Sequence, residues 1–254
     1  MKQTKWTKKR SEGLPRWAMG LLMGLCIGLI VVALGGLVIY VLLTGGARKE
    51  FDELAQRVEK ETVGLPAGQA YADLKAENPD FVGWIKIEGT SVNYPVVQTK
   101  AEPQYYLRRS FEGSYSIAGT PFLDAQCDME KGIGLIIYGH NMNDGSMFAD
   151  IAGYTQETYW REHPIIQCDS LTRQREYEVM AVLQFKDSEQ AAQDYYSVPC
   201  DEMNFTEYIS RLADAALYDT GIQAVWGDQI LALSTCSRQD SDSRILVIAR
   251  KTGL

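Results

Sequence analysis

The sequence predicts a mainly β protein. It is expected to be an eight-stranded closed β-barrel with N-terminal helices and one helix before the penultimate strand, preceded by a single transmembrane helix. Three observations carry this. Residues 17–44 form a run of 28 without a charged side chain. From Phe81 onward the apolar spacing changes from helical to a period of two. Eight short strand-like segments then follow with turn residues between them, and closing such a set removes its exposed edges.

Taken in chain order, residues 1–16 are a basic tail, with six Lys and Arg against Glu12 alone, or +5. The whole chain carries −8, so everything beyond the tail carries −13. A body that acidic argues against a nucleic-acid partner, which needs cations to meet phosphates. Apolar residues at 46% and charged residues at 23% are ordinary globular usage, and five cysteines in 254 residues are too few for a disulfide scaffold.

The run at 17–44 exceeds the roughly 20 residues that span a bilayer core and the roughly 7–15 of a signal peptide's apolar region. It reads as an uncleaved signal anchor. The basic tail stays cytoplasmic, and residues 45–61 balance four bases against five acids and exert no opposing pull. The protein is expected to be single-pass in the cell membrane, with the domain after Thr44 extracellular, where ATP- and nicotinamide-driven chemistry is disfavoured. Gly20, Gly24 and Gly28 recur at the small-residue spacing that permits a weak dimer through close helix approach.

Residues 45–80 form an N-terminal helical segment. An amphipathic helix is expected over 47–62, with Phe51, Leu54, Ala55 and Val58 on one face, broken by Gly64-Leu65-Pro66. A second short helix near Gln69–Glu77 should stop before Asn78-Pro79. Residues 81–254 form the barrel domain. Trp84–Ile87 and Ser91–Val97 pair as a hairpin across Gly89-Thr90, and further strands are expected at Thr120–Asp124, Leu135–Tyr138, Ile165–Cys168, Glu176–Phe185, Gln229–Ser234 and Ile245–Ala249. Helices are expected at Ser146–Ile151 and at Phe205–Leu217, the latter with Phe205, Tyr208, Ile209, Leu212 and Ala216 on one side. Gly132–Gly139 lacks the lysine of a phosphate-binding loop.

Few residues here are suited to chemistry. His140 sits where the apolar run Ile133–Ile137 stops, rigidly held yet open to solvent, and reads equally as a proton-transfer group or as a capping or packing histidine. His163, beside Pro164 in a charged stretch, reads as a surface residue. Cys26 lies in the membrane span, and Cys127 lies among Asp124, Asp128 and Glu130, whose charges disfavour a thiolate. Cys168 ends a strand, and Cys200 follows Pro199 in a loop. Disulfides among Cys127, Cys168 and Cys200 stay open. Cys236 ends the apolar run 230–233, with Arg238 and Arg244 following, so it is either an electropositive nucleophile or a small core hydrophobe. Arg244 is either its partner or a surface charge paired with Asp240 or Asp242. Together, a cysteine and a histidine at adjoining strand ends are the minimum parts of thiol acyl transfer. The carboxylates of Asp124, Asp128 and Glu130 match no calcium-loop spacing and read as a solvated acidic face, so no metal and no cofactor is expected.

Leu233-Ser234-Thr235-Cys236 followed by Arg244 resembles the Thr-Leu-x-Thr-Cys…Arg signature of sortases. Tyr138-Gly139-His140-Asn141-Met142, running into Gly145-Ser146-Met147-Phe148, resembles the histidine segment of class B sortases. So do Val82-Gly83-Trp84-Ile85, Asn93-Tyr94-Pro95-Val96-Val97 and Tyr105-Tyr106-Leu107. The likeness spans about residues 47–250. Ala232 replaces the usual first threonine, the Cys-to-Arg spacing of eight is short, and Pro103-Gln104 stands where relatives often have Asp-Asn.

The resemblance implies a sortase-type barrel and a cysteine transpeptidase. Cys236 would attack the threonine carbonyl of a C-terminal sorting signal resembling Asn-Pro-x-Thr, and a peptidoglycan-precursor amine would take up the resulting acyl group. His140 would exchange protons with the amines, and Arg244 would hold the substrate and the oxyanion. Leu107, Tyr138, Ser234, Thr235 and Tyr196 would wall the groove, with Tyr195 as a further candidate. The partners implied are surface proteins bearing such signals and the cell wall. Rival readings are a pilin-polymerising enzyme with a lysine acceptor, a cysteine hydrolase, and an inactive membrane-tethered binding module.

Overall fold

The computed structural model describes residues 16–62, 71–237 and 242–253. The chain divides into two units, Met1–Leu43 and Thr44–Leu254. Helix α1 (Arg16–Thr62) supplies the described part of the first unit, and its Met19–Val38 stretch, with mean hydropathy 2.7, is long and apolar enough to cross a membrane. Gly20, Gly24 and Gly28 have no other side chain against them.

The separate helix expected over 47–62 is instead the last part of α1, since Gly45-Gly46 does not interrupt it. Its apolar face is as expected: Phe51, Leu54 and Val58 are buried, and the Phe51 ring meets Tyr94 edge-on at 5.4 Å. The break at 64–66 lies outside the described residues. Helix α2 (Ala72–Glu77) ends at Asn78, whose backbone is extended (φ −129°, ψ 106°) ahead of Pro79.

Eight strands form the second unit: β1 (Phe81–Lys86), β2 (Asn93–Val97), β3 (Phe122–Leu123), β4 (Gly134–Tyr138), β5 (Ile165–Ser170), β6 (Glu176–Lys186), β7 (Ile230–Cys236) and β8 (Ser243–Lys251). They close in the order β1-β2-β3-β4-β7-β8-β6-β5, with β5 returning to β1. All eight strand positions match the sequence reading to within a few residues. Pro95 is accommodated because the far side of β2 pairs only at Val97, against Phe122 of β3.

Helix α5 (Glu202–Ala215) covers the outer face of β4, β7, β8 and β6. Asp201 caps it by accepting from the Asn204 amide, and Ala216, extended at ψ 141°, ends it short of Leu217. Phe205, Tyr208, Ile209 and Leu212 pack on Ile136, Ile230, Ala232, Leu246 and Ile248, while Leu135, Ile137, Leu231, Leu233, Val247 and Ala249 fill the barrel. With both faces covered, β7 is buried along nearly its whole length, which is why its sequence reads as a continuous apolar run. Each α5 anchor contributes about 1.5–3 kcal/mol by burial.

The helix expected at Ser146–Ile151 is displaced to a 3₁₀ turn at Asp150–Thr155. Asp144 Oδ1 accepts from both the amide and hydroxyl of Ser146, Gly145 is at φ +85°, and Met147 is at φ 57°. The segment before 150 is therefore a tight turn. Three short helical pieces were not legible: a 3₁₀ turn at Tyr105–Arg108, α3 (Glu157–Glu162) and α4 (Glu189–Tyr195).

Closure between β1 and β5 needs a residue without a side chain at 83, because a Cβ there would run into the Asp169 carbonyl and come within 2.8 Å of Met129 Cε. Gly83→Ala is expected to destabilise the barrel by about 1–3 kcal/mol or more, as overpacking does. Urea unfolding followed by tryptophan fluorescence measures this.

Candidate active site

Strands β4 and β7 are parallel neighbours, with Tyr138 opposite Ser234 as their last ladder pair. Both chains therefore leave the barrel at the same rim. Beyond that pair the two strand ends are held together by three more bonds. The Gly139 amide donates to Ser234 O (3.1 Å), Thr235 Oγ1 donates to Gly139 O (2.8 Å), and Asn141 Nδ2 donates to Cys236 O (2.9 Å). A side chain at 139 would strike the Phe148 ring at 2.6 Å, so this glycine is a packing requirement. Phe148 N–H closes the loop by donating to His140 O (2.8 Å).

Cys236 ends β7 directly opposite Arg244 on β8, and Arg244 Nη1 lies 2.5 Å from Cys236 Sγ. The guanidinium's other edge meets a carboxylate: Nε and Nη2 donate to Asp187 Oδ2 at 2.8 and 2.6 Å. The carboxylate seen against Arg244 is thus Asp187, while Asp240 lies outside the described residues. Asp187 takes that place because β6 flanks β8, with Phe185 opposite Arg244. Arg238 lies outside the described residues.

The half-buried His140 imidazole donates its Nε2–H to Leu107 O at 2.8 Å. Its pKa is pushed below the usual imidazole value, first by burial and then by the positive charges of Arg108 and Arg244, against the opposing Leu107 bond.

His140, Cys236 and Arg244 line one cleft of about 860 Å³, together with all five groove candidates, Leu107, Tyr138, Ser234, Thr235 and Tyr196. Ser234 and Thr235 are nearly inaccessible, at 3% and 2% exposure, and their hydroxyls serve Tyr196 (2.8 Å) and Gly139. Tyr138 stacks between Phe122 (5.4 Å) and Tyr196 (6.0 Å) and donates to Asp124 Oδ2 (3.2 Å). Tyr195 packs on Phe185 at 4.8 Å and is not among the cleft residues. Pro103 and Gln104, the departures from the family pattern, line the cleft, as do Phe122, Val198 and Asp187, which sequence reasoning missed. No local pattern marks Asp187, which reaches the site only through the barrel's strand order.

The remaining thiols are unlike Cys236. Cys127 lines the same cleft, but burial and the Asp124 charge push its thiol up to about 11. Cys168 is wholly buried and pushed up to about 12, and Cys26 and Cys200 are exposed. All five are free, which answers the open disulfide question. His163 is more than a surface residue: its Nδ1–H donates to Glu88 O at 2.9 Å and its ring packs on Tyr159, fixing the turn at Gly89. Asp128 Oδ1 accepts the amides of Glu130 and Lys131, and Glu130 pairs with Arg175, so these carboxylates stabilise turns.

A thiol, an imidazole and a guanidinium in one cleft at the rim of a closed barrel form the layout of a thiol acyl transferase. The family model described as Sortase domain matches residues 85–252. A curated relative, sortase B of Listeria monocytogenes, is 32% identical over 184 residues, covering 70% of this chain and 72% of its own. Among solved structures, sortase B from Bacillus anthracis is 28% identical with TM-score 0.72, covering 80% of this chain and 95% of that one. A Staphylococcus aureus sortase B–substrate complex shares the fold at TM-score 0.74 and 24% identity, covering 82% and 96%. The chain belongs to the sortase family. Its likeness is to class B, and it is a cysteine transpeptidase.

With only two histidines in the chain, an NMR titration resolves His140 directly. It is expected to titrate below the usual imidazole value, and Arg108→Gln, which removes a repelling cation, is expected to move that midpoint upward. A downward or absent shift contradicts the electrostatic account.

Proposed function

We propose that this enzyme cleaves surface proteins after the threonine of an Asn-Pro-x-Thr-like sorting signal and transfers them to a cell-wall amine through a thioester on Cys236. The observation that carries this reading is the placing of Arg244 Nη1 at 2.5 Å from Cys236 Sγ, in a cleft that His140 also lines. A cation beside the sulfur favours thiolate over thiol.

In the first step the thiolate attacks the threonine carbonyl carbon. The carbonyl oxygen takes up the negative charge, facing the Arg244 guanidinium, a planar donor that never loses its proton. The peptide C–N bond then breaks, and the protonated His140 ring passes a proton to the departing amine. In the second step an incoming amine attacks the thioester, His140 accepts the amine's proton, and the C–S bond breaks to restore the thiolate. With Nε2–H held by Leu107 O, Nδ1 is the ring nitrogen left for this exchange.

The aromatic wall of Phe122, Tyr138 and Tyr196 suits the proline of the signal, and Leu107 closes the side next to the imidazole. A basic tail held inside the cell by positive charge would set the barrel on the outer face of the membrane, where signals and acceptors meet, with the glycine face of the span free for a weak dimer.

The test uses the full chain in detergent micelles with a small panel of sorting-signal peptides, read by mass spectrometry. A signal-derived acyl group on Cys236 is expected, triglycine is expected to appear joined to the threonine, and Cys236→Ala is expected to yield neither. Hydrolysis alone in abundant triglycine would identify a peptidase instead. Product carrying only lysine side-chain amines would identify a polymerising enzyme.

A further inference from the structure

The joint between the catalytic guanidinium and the rest of the cleft is Asp187. This residue follows directly on β6 and begins the stretch 187–201 that carries Tyr196, Ser197 and Val198 into the cleft. Its backbone is tied to the start of β8, with its N–H donating to Asp242 O at 2.7 Å. Its Oδ2 takes both Nε–H and Nη2–H of Arg244, at 2.8 and 2.6 Å.

A guanidinium has a fixed fork of donors, so committing the Nε–Nη2 edge to one carboxylate fixes where the opposite corner points. That corner is Nη1, and it points at Cys236 Sγ. The Asp187 and Arg244 side chains keep 43% and 31% of their exposure, so as a stabilising ion pair the contact is worth little. Its value is orientational.

We propose that Asp187 is a positioning residue for the transfer reaction, holding the Arg244 guanidinium so that Nη1 faces the sulfur and the acyl oxygen formed beside it. Because Asp187 also begins the segment that builds one cleft wall, it ties the placing of substrate to the placing of the oxyanion donor. The proposal rests on the reading of Arg244 given above.

Four forms of the full chain in detergent decide it: native, Asp187→Ala, Arg244→Ala and the double variant, with Asp187→Asn and Asp187→Glu as companions. Acyl-enzyme formation gives kcat and KM, and alkylation of Cys236 by iodoacetamide gives a thiol reactivity that does not depend on turnover. Misplacing a catalytic group by about 1 Å can cost about a hundredfold. Asp187→Ala is accordingly expected to lose about tenfold or more in kcat, with KM within about twofold, and Asp187→Glu to recover part of the loss. Asp187→Asn, nearly isosteric, guards against a folding defect and is expected to fall between native and Asp187→Ala. Alkylation of Arg244→Ala and of the double variant is expected to proceed at one rate, because a residue acting through the guanidinium has nothing left to act on. Native kcat in Asp187→Ala, or additive losses in alkylation, overturns the proposal while leaving Arg244 in its role. Native kcat in Arg244→Ala overturns both.

Discussion

The constraint on which this protein depends is the parallel pairing of β4 with β7 inside a closed barrel. Parallel strands point their C-terminal ends the same way, so the residues that follow them emerge together however far apart they lie in sequence. Here those residues are His140 and Cys236. The antiparallel β8 begins at the same rim and brings Arg244 opposite the cysteine, and β6 ends there and brings Asp187. Four side chains are thus delivered at four strand termini, Cys236 and Arg244 within a ladder and His140 and Asp187 within two residues of one. Rigid delivery of this kind suits the proposed acyl transfer, in which both steps would use the same sulfur, imidazole and guanidinium.

The local electrostatics follow from this crowding. Two arginines and partial burial act on one imidazole, and all three disfavour its charged form. The Arg244 charge beside the sulfur thus also depresses the imidazolium form of His140. Cys127 illustrates the contrast within the same cleft. Burial, and then the Asp124 charge, hold its thiol protonated.

The sequence made all eight strands legible, because β-branched and aromatic runs bounded by turn residues survive any tertiary context. It also pointed to His140 and Cys236, since each sits where an apolar run stops, and to Arg244, which stands where the next apolar run begins. It failed where local cues compete. Asp144 and Gly145 turned an expected helix into a tight turn, and Gly45-Gly46 was too weak a break to divide α1. Tyr195 and Tyr196 are adjacent, look alike and both pack on Phe185, yet only Tyr196 lines the cleft, a choice that depends on where β6 lies.

The sequence by itself determined the class of structure, a stretch apolar enough to cross a membrane, the acidic composition beyond the basic tail and the candidates for the reacting groups, because these rest on composition, periodicity and side-chain chemistry. The tertiary structure alone decided their partners. That Leu107 offers its carbonyl to His140, and that Asp187, distant in sequence, grips Arg244, follows from the order in which the strands close. Strand order is a matter of long-range packing, and no short stretch of sequence encodes it.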